Sequence, residues 1–211
     1  MHMMAGPPTV LREGPTLRLR DLVASDLETL TRIWGDPAVM ADMSSEVRTA
    51  QECAALLDQA RRDAQERPRR SYRMVAVRRR DDVVIGTTAV DLERHRSAFS
   101  HSTSLLPEYQ LTGAAVEGFA LVCELVFESL NRHRLTLTCT VDNTAVERIA
   151  LAAGATLVGT IPEYACKNGN WRDDKLFSLV DHQWRDSRLL KLVERQRRAR
   201  GQRPPLALAG T

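Results

Sequence analysis

Six consecutive residues, Gln110, Leu111, Thr112, Gly113, Ala114 and Ala115, stand directly before an apolar run over residues 116–130 whose spacing predicts a helix. The first turn of a helix carries backbone N–H groups with no intrahelical acceptor, and the aligned peptide dipoles make that end electropositive. Small side chains there let an anion approach the amides, so the segment reads as a cradle for a phosphate. Small residues also cap helices for structural reasons alone. Order and company favour the cradle: Pro107, Glu108 and Tyr109 mark a turn ahead of it, a β-rich run precedes that turn, and Asn143 opens another helix after one intervening strand. Within the β-rich run lies His101, whose ring type titrates near neutrality and can carry a proton, although a lone histidine also serves structure.

The elements that hold these residues follow from the changing period of the hydrophobic pattern. Residues 16–20 alternate Leu17 and Leu19 with polar neighbours and predict a strand. Ser25 with Glu28 reads as a capping box for a short helix carrying Leu27, Leu30, Ile33 and Trp34, and Asp36-Pro37 ends it. A second helix is expected over residues 49–66, stopped by Pro68, then strands over 72–78 and 83–92, with Gly86 marking a bulge or a close neighbour. A strand over 98–106, the long helix, a strand over 134–141 and a helix from Asn143 to its Gly154 cap follow. Strands over 156–162 and 175–180, joined through Asn168-Gly169, close the pattern. Gly and Pro cluster at both ends, so residues 1–15 are expected to be a flexible N-terminus, 16–184 one domain, and 185–211 a basic helix with a flexible tail.

With 211 residues, 43% of them hydrophobic, the chain can build one substantial core. The net charge of +3 comes from arginine clusters interspersed with acids, which reads as a solvated surface and speaks against a nucleic-acid partner. The basic segment 187–200 has two readings: an amphipathic helix packed on the body or on a twin subunit through Leu189, Leu190 and Val193, or an RNA-docking arm. Four cysteines lie far apart with no C-x-x-C pair, which fits reduced thiols and neither a metal site nor a disulfide framework. No leader or membrane-length apolar run is visible, so a soluble, cytoplasmic protein without a membrane partner is expected.

Gln110, Gly113 and Ala115 fit the pattern Arg/Gln-x-x-Gly-x-Gly/Ala. Further matches, in order along the chain, are Leu17 to Arg20 with Asp26, Ile85-Gly86, Pro107 to Tyr109, Asn143, Gly154-Ala155, Asn168-Gly169 ahead of Arg172-Asp173, and Trp184. In this order the chain resembles the GCN5-related N-acetyltransferase superfamily, and within it the ribosomal-protein N-acetyltransferase-like branch, over residues 16–184. The resemblance implies an α/β (α+β) fold: a mixed, mostly antiparallel sheet of six to seven strands, splayed between the fourth (98–106) and fifth (134–141), with about four helices. It implies acetyl-CoA as co-substrate without a metal, its pyrophosphate on the N–H groups of residues 111–115 and its pantetheine arm along the backbone of Leu105 and Leu106. One of the latter two N–H groups would steady the oxyanion. Asn143 would bind the pantetheine amides or order the turn, and is equally read as a plain helix N-cap.

The acceptor implied is a primary amine, on a protein N-terminus or a small molecule, attacking the thioester directly, with a homodimer possible. Strand alternation places His101, Thr103 and Leu105 on one face and Ser100, Ser102 and Ser104 on the other. By the resemblance the first set points toward the acceptor, which makes His101 the candidate general base. Trp34, Met40 and Met43 fall where relatives line the acceptor pocket, and core packing explains them at least equally well. The chain departs from its relatives where many carry a tyrosine acid, here Ala150, and where some carry a serine, here Val146. The proton donor is thus unassigned, and a non-catalytic acyl-CoA-binding or interaction protein on the same scaffold is the alternative.

Overall fold

The computed structural model describes residues 8–41 and 43–202. Eight strands form one sheet: β1 (Val10–Glu13), β2 (Leu17–Asp21), β3 (Ser71–Arg78), β4 (Val83–Leu92), β5 (Ser97–Leu105), β6 (Arg134–Thr140), β7 (Thr156–Lys167) and β8 (Asn170–Val180), in the order β1-β2-β3-β4-β5-β6-β8-β7. Every neighbouring pair is antiparallel except β5 and β6, which run parallel. The alternation in β2 buries Leu17 and Leu19 on one face. At Gly86 a Cβ atom would lie 2.3 Å from the Ser104 carbonyl oxygen, so only glycine lets β4 and β5 close there.

Helices cover both faces. On one lie α1 (Leu27–Trp34), α2 (Pro37–Met40) and α3 (Ala50–Asp63), over a small core of Leu22, Leu30, Leu57, Val75 and Val77. On the other lie α4 (Ala114–Glu124), α5 (Thr144–Ala152), α6 (Asp181–Arg185) and α7 (Arg188–Ala199), over the main core of Leu17, Leu19, Met74, Leu121, Leu135, Phe177 and Trp184. The long helix pattern after residue 113 is realised as α4 followed by a π-helical turn at Leu125–Ser129.

Several expectations are corrected. Val10–Glu13 is a strand paired with β2, so the reading of a flexible terminus fails over those residues; residues 1–7 of that segment and the tail from residue 203 lie outside the described residues. Pro and Gly on either side hid the strand. The Ser25–Glu28 capping box does not form, because a 3-10 turn at Ala24–Asp26 precedes α1. Asp26 instead accepts from Val23 N–H at 2.8 Å and takes both terminal nitrogens of Arg20 at 2.7 and 2.8 Å. Of the two readings of the basic C-terminal helix, the structure shows packing on the body: Leu189, Val193 and Arg197 of α7 are buried, and each fully buried aliphatic side chain contributes about 1.5–3 kcal/mol.

Candidate active site

β5 and β6 are paired only from Ser97 opposite Arg134 to Ser100 opposite Leu137. Beyond that point β5 runs on to Leu105 and β6 to Thr140, and the two part. A bulge accompanies the parting: against β4, the register moves from His101 opposite Ala89 to Ser104 opposite Thr87, and Ser102 takes a left-handed φ of 54°. A cleft of about 330 Å³ occupies the gap. It is lined from both sides of the sheet, by Phe119, Asn143 and Val146 on the α4–α5 side and by Met43, Ser44, Ser45 and Tyr164 on the other. Thr103 and Phe119 also border a smaller cavity of about 30 Å³ that reaches Ala114, Ala115 and Gly118 at the start of α4.

That helix start has the geometry an anion requires. Gly113 is the N-cap with φ 87°, and a Cβ atom placed on it would meet nothing within 4 Å. The first intrahelical bond runs from Glu117 N–H to Gly113 O at 3.1 Å, which leaves the N–H groups of Ala114, Ala115 and Val116 ahead of the ladder. Gln110, Leu111, Thr112 and Gly113 are all exposed. The turn is held from behind: the Thr112 hydroxyl donates to Tyr109 O at 2.7 Å, the Gln110 amide to Leu105 O at 3.4 Å, and the Arg78 guanidinium lies 4.8 Å from the centre of the Tyr109 ring. Glu117 is committed elsewhere, accepting from Thr16 N–H, Leu17 N–H and the Thr16 hydroxyl at 2.7, 2.8 and 2.6 Å.

His101 lies at the mouth of the gap. Its Nε2 is 2.8 Å from Asp91 Oδ2, its Nδ1 is 3.0 Å from Ser102 Oγ, and its ring stacks on Phe99 with centroids 5.6 Å apart. The hydrogen bond with His101 holds the Asp91 carboxyl below the usual carboxylate range. An anionic Asp91 fixes the ring with its Nε2–H toward the carboxylate and its Nδ1 lone pair toward the Ser102 hydroxyl.

The bulge overturns the expected facing of this strand. Thr103 bonds Thr88 and Ser104 bonds Thr87, each at 2.8 Å, so beyond the bulge Thr103 and Leu105 share the α4 face while Ser104 returns to the face of His101. His101 still faces α1–α3, without Thr103 or Leu105 beside it. Leu106 is corrected too: its N–H donates to Ile85 O at 2.9 Å, so it is unavailable to a pantetheine arm or an oxyanion. The unpaired stretch of β5 begins at residue 101, several residues before Leu105.

Asn143 caps α5 by accepting from Val146 N–H at 3.1 Å and also lines the cleft, so its two readings are compatible. Val146 is a cleft wall, whereas Ala150 is fully buried. Met43 lines the cleft; Met40 lies in the core, and Trp34 donates to the Thr87 hydroxyl at 3.3 Å in a separate cavity. Cys139 also borders the cleft, but burial pushes its thiol up to about 11, which leaves it protonated and inert near neutrality.

The outer wall is clamped by the β7–β8 hairpin. Buried Lys167 donates to the carbonyls of Met40, Ala41 and Met43, Arg172 donates to Ala41 O at 3.0 Å, and Asn168 N–H donates to Glu46 at 2.7 Å. Sequence reasoning passed over Asp91, Tyr164, Lys167 and Asp174. Asp174 lines the cleft, is 1% exposed, accepts a hydrogen bond from the Thr138 side chain, and has one oxygen, Oδ1, with no partner among the described residues. An acid inside a strand pattern was the one available signal. Among the described residues no cluster of three or more His, Cys, Asp or Glu could hold a metal ion, and no helix is long and apolar enough to cross a membrane.

Comparison with known proteins gives a consistent result. The family model described as Acetyltransferase (GNAT) domain matches residues 16–156. An uncharacterized N-acetyltransferase of Bacillus subtilis (strain 168), YnaD, is 21% identical over 167 residues, spanning 79% of this chain and 95% of that one. Among solved structures, spermidine N-acetyltransferase from Vibrio cholerae in complex with CoA and spermine superposes with a TM-score of 0.72 at 22% identity, over 81% of this chain and 99% of that one. Mycobacterium smegmatis RimJ in complex with CoA-disulfide gives 0.72 at 18% identity, over 93% and 94%. At such identities the structural likeness shows the shared fold.

Proposed function

The chain belongs to the GNAT acetyltransferase family and is an acetyl-CoA-dependent acyltransferase, and from that premise we propose that the gap between β5 and β6 is where acetyl transfer to a primary amine takes place. Acetyl-CoA enters from the α4–α5 side, with its pyrophosphate on the N–H groups of residues 111–115 and its pantetheine arm beside residues 101–105 and Asn143. The amine arrives from the α1–α3 side, under Met43 and Tyr164. The observation that carries this reading is a single cleft lined from both faces of the sheet at the point where the strands part.

The amine nitrogen attacks the thioester carbonyl carbon; the C–N bond forms, the C–S bond breaks, and the thiolate leaves with one proton to become free coenzyme A. Developing negative charge on the carbonyl oxygen calls for a backbone N–H, and we assign that role to the bulge at Ser102 and Thr103, which has no partner strand on the β6 side. His101, held by Asp91, takes the proton shed as the C–N bond forms. The nature of the acceptor, a protein N-terminus or a small molecule, is set by the wall that Lys167 clamps. Three buried free thiols, Cys53, Cys123 and Cys139, support a cytoplasmic setting.

Thiol release from acetyl-CoA, followed with a panel of primary amines and N-terminal peptides, tests the reading. Amine-dependent release that disappears when Gly113 is replaced by a bulky residue is the expected result. Failure of acetyl-CoA to bind at all would overturn it.

A further inference from the structure

Asp174 presents a problem that the reaction above does not solve. Its carboxylate is buried in β8 beside the cleft, it takes a hydrogen bond from Thr138, and among the described residues Oδ1 has no hydrogen-bond partner. Burying a charged oxygen without a partner is expensive, and such a group in a native fold calls for an explanation, a catalytic role being one. Burial raises the Asp174 pKa above the usual carboxylate range, which brings a carboxylate closer to the basicity a proton acceptor needs. Register places it on the acceptor side: Asp174 is opposite Thr140 and two residues from Leu176, which is opposite Thr138. Leu137 and Cys139, with the opposite phase, belong to the core under α4 and α5.

Resting on the acetyl-transfer reading, we propose that Asp174 receives the acceptor as an alkylammonium ion and takes its proton, so that the substrate class is the basic alkyl primary amine rather than a weakly basic amine that arrives neutral. The balance is complete. The ammonium gives one proton to Asp174 and becomes the nucleophile; after attack, the nitrogen gives its second proton to His101. One of these protons ends on the departing thiolate and the other goes to solvent. The groups around Asp174 are Thr138 and Cys139 from β6, Arg172 on its own strand, and Tyr164 and His101 across the same cleft. Arg172 draws the carboxyl pKa down, against the burial that raises it.

The test compares n-hexylamine with aniline, which is neutral at pH 7, in the full chain and in Asp174→Asn. Asparagine can still accept from Thr138. The expected result is a loss of about 100-fold in kcat/KM for n-hexylamine, no change for aniline, unchanged acetyl-CoA affinity, and a melting temperature at pH 7 equal to or above that of the parent. In the variant the n-hexylamine rate should also climb with pH toward the pKa of the free amine, where the parent levels off. Equal losses on both amines, an unaffected n-hexylamine rate, or a parent enzyme that acetylates aniline alone would each overturn the proposal while leaving acetyl transfer intact. Failure of the parent chain to release thiol with any amine brings down the acetyl-transfer reading and this one with it.

Discussion

Two carboxyl groups beside the cleft are shifted in opposite directions, and each shift has a consequence for stability. Asp91 is held down by His101, so its native pKa lies below its unfolded one. Its contribution is then present at neutral pH and is lost as pH falls through the depressed value. Asp174 is pushed up by burial, so its ionised form is disfavoured in the fold, and its cost appears as pH rises above the ordinary carboxylate range. Asp91→Asn should therefore lower the melting temperature at pH 7, Asp174→Asn should not lower it there, and both should converge with the parent in acid; thermal melts from pH 3 to 8 check both. For catalysis, His101→Ala should lower kcat by about 100-fold with acetyl-CoA affinity unchanged. A full loss of acetyl-CoA binding in that variant would mean the ring supports the pantetheine channel instead. At this scale His101 was legible from its residue type, but its partner was not. Asp91 meets it only through the β4–β5 register, and Ser100, Ser102 and Ser104 give that stretch no apolar alternation from which a bulge could be read.

The element that the proposed function makes responsible for acetyl-CoA affinity is the turn into α4. Gly113 sits at φ 87° with open space around its missing Cβ, so backbone conformation and ligand approach, not packing, demand glycine there. Gly113→Val should cost about 1–2 kcal/mol of stability and, by titration calorimetry, weaken acetyl-CoA binding by far more than that strain alone. On the same proposal, the β7–β8 hairpin is the corresponding element for the acceptor. Lys167→Met removes the donor to Met40, Ala41 and Met43, and steady-state kinetics should show a raised KM for the amine with the KM for acetyl-CoA unmoved. Most elements could be read from the sequence because period-2 and period-3.6 patterns were both strong: β4 and α5 emerge within a residue or so of their observed bounds. The hairpin tip at Asn168-Gly169 was legible for the same reason that it forms, since both residues take positive φ. Its length was not, because bulges in β7 between Leu157 and Gly159 and between Ile161 and Ala165 break the alternation.

Across the whole molecule, the C-terminal helix is fastened by a buried charge network rather than left as a basic arm. Arg197 makes a two-pronged ion pair with Glu124 at 2.6 and 2.8 Å and donates to Glu13 O at 3.1 Å, and Arg12 donates to Glu124 O at 2.9 Å. Removing one member strands a buried charge, so Arg197→Ala should cost about 3–5 kcal/mol in urea unfolding. The sequence showed the apolar stripe of Leu189, Leu190 and Val193 but offered no sign that Arg197 would turn inward, since a charge pairs there only with partners distant in the chain. Sheet, helix turn and clamp together leave a cleft lined from both faces of the sheet, and the proposed function makes one side the carrier's and the other the acceptor's. Amide hydrogen exchange with and without acetyl-CoA tests that arrangement most directly. Protection is expected in residues 101–105, 111–116 and 138–143, with the α1–α3 face unchanged until an amine is added. Exchange left unaltered in those three segments, or protection confined to other parts of the chain, would contradict it.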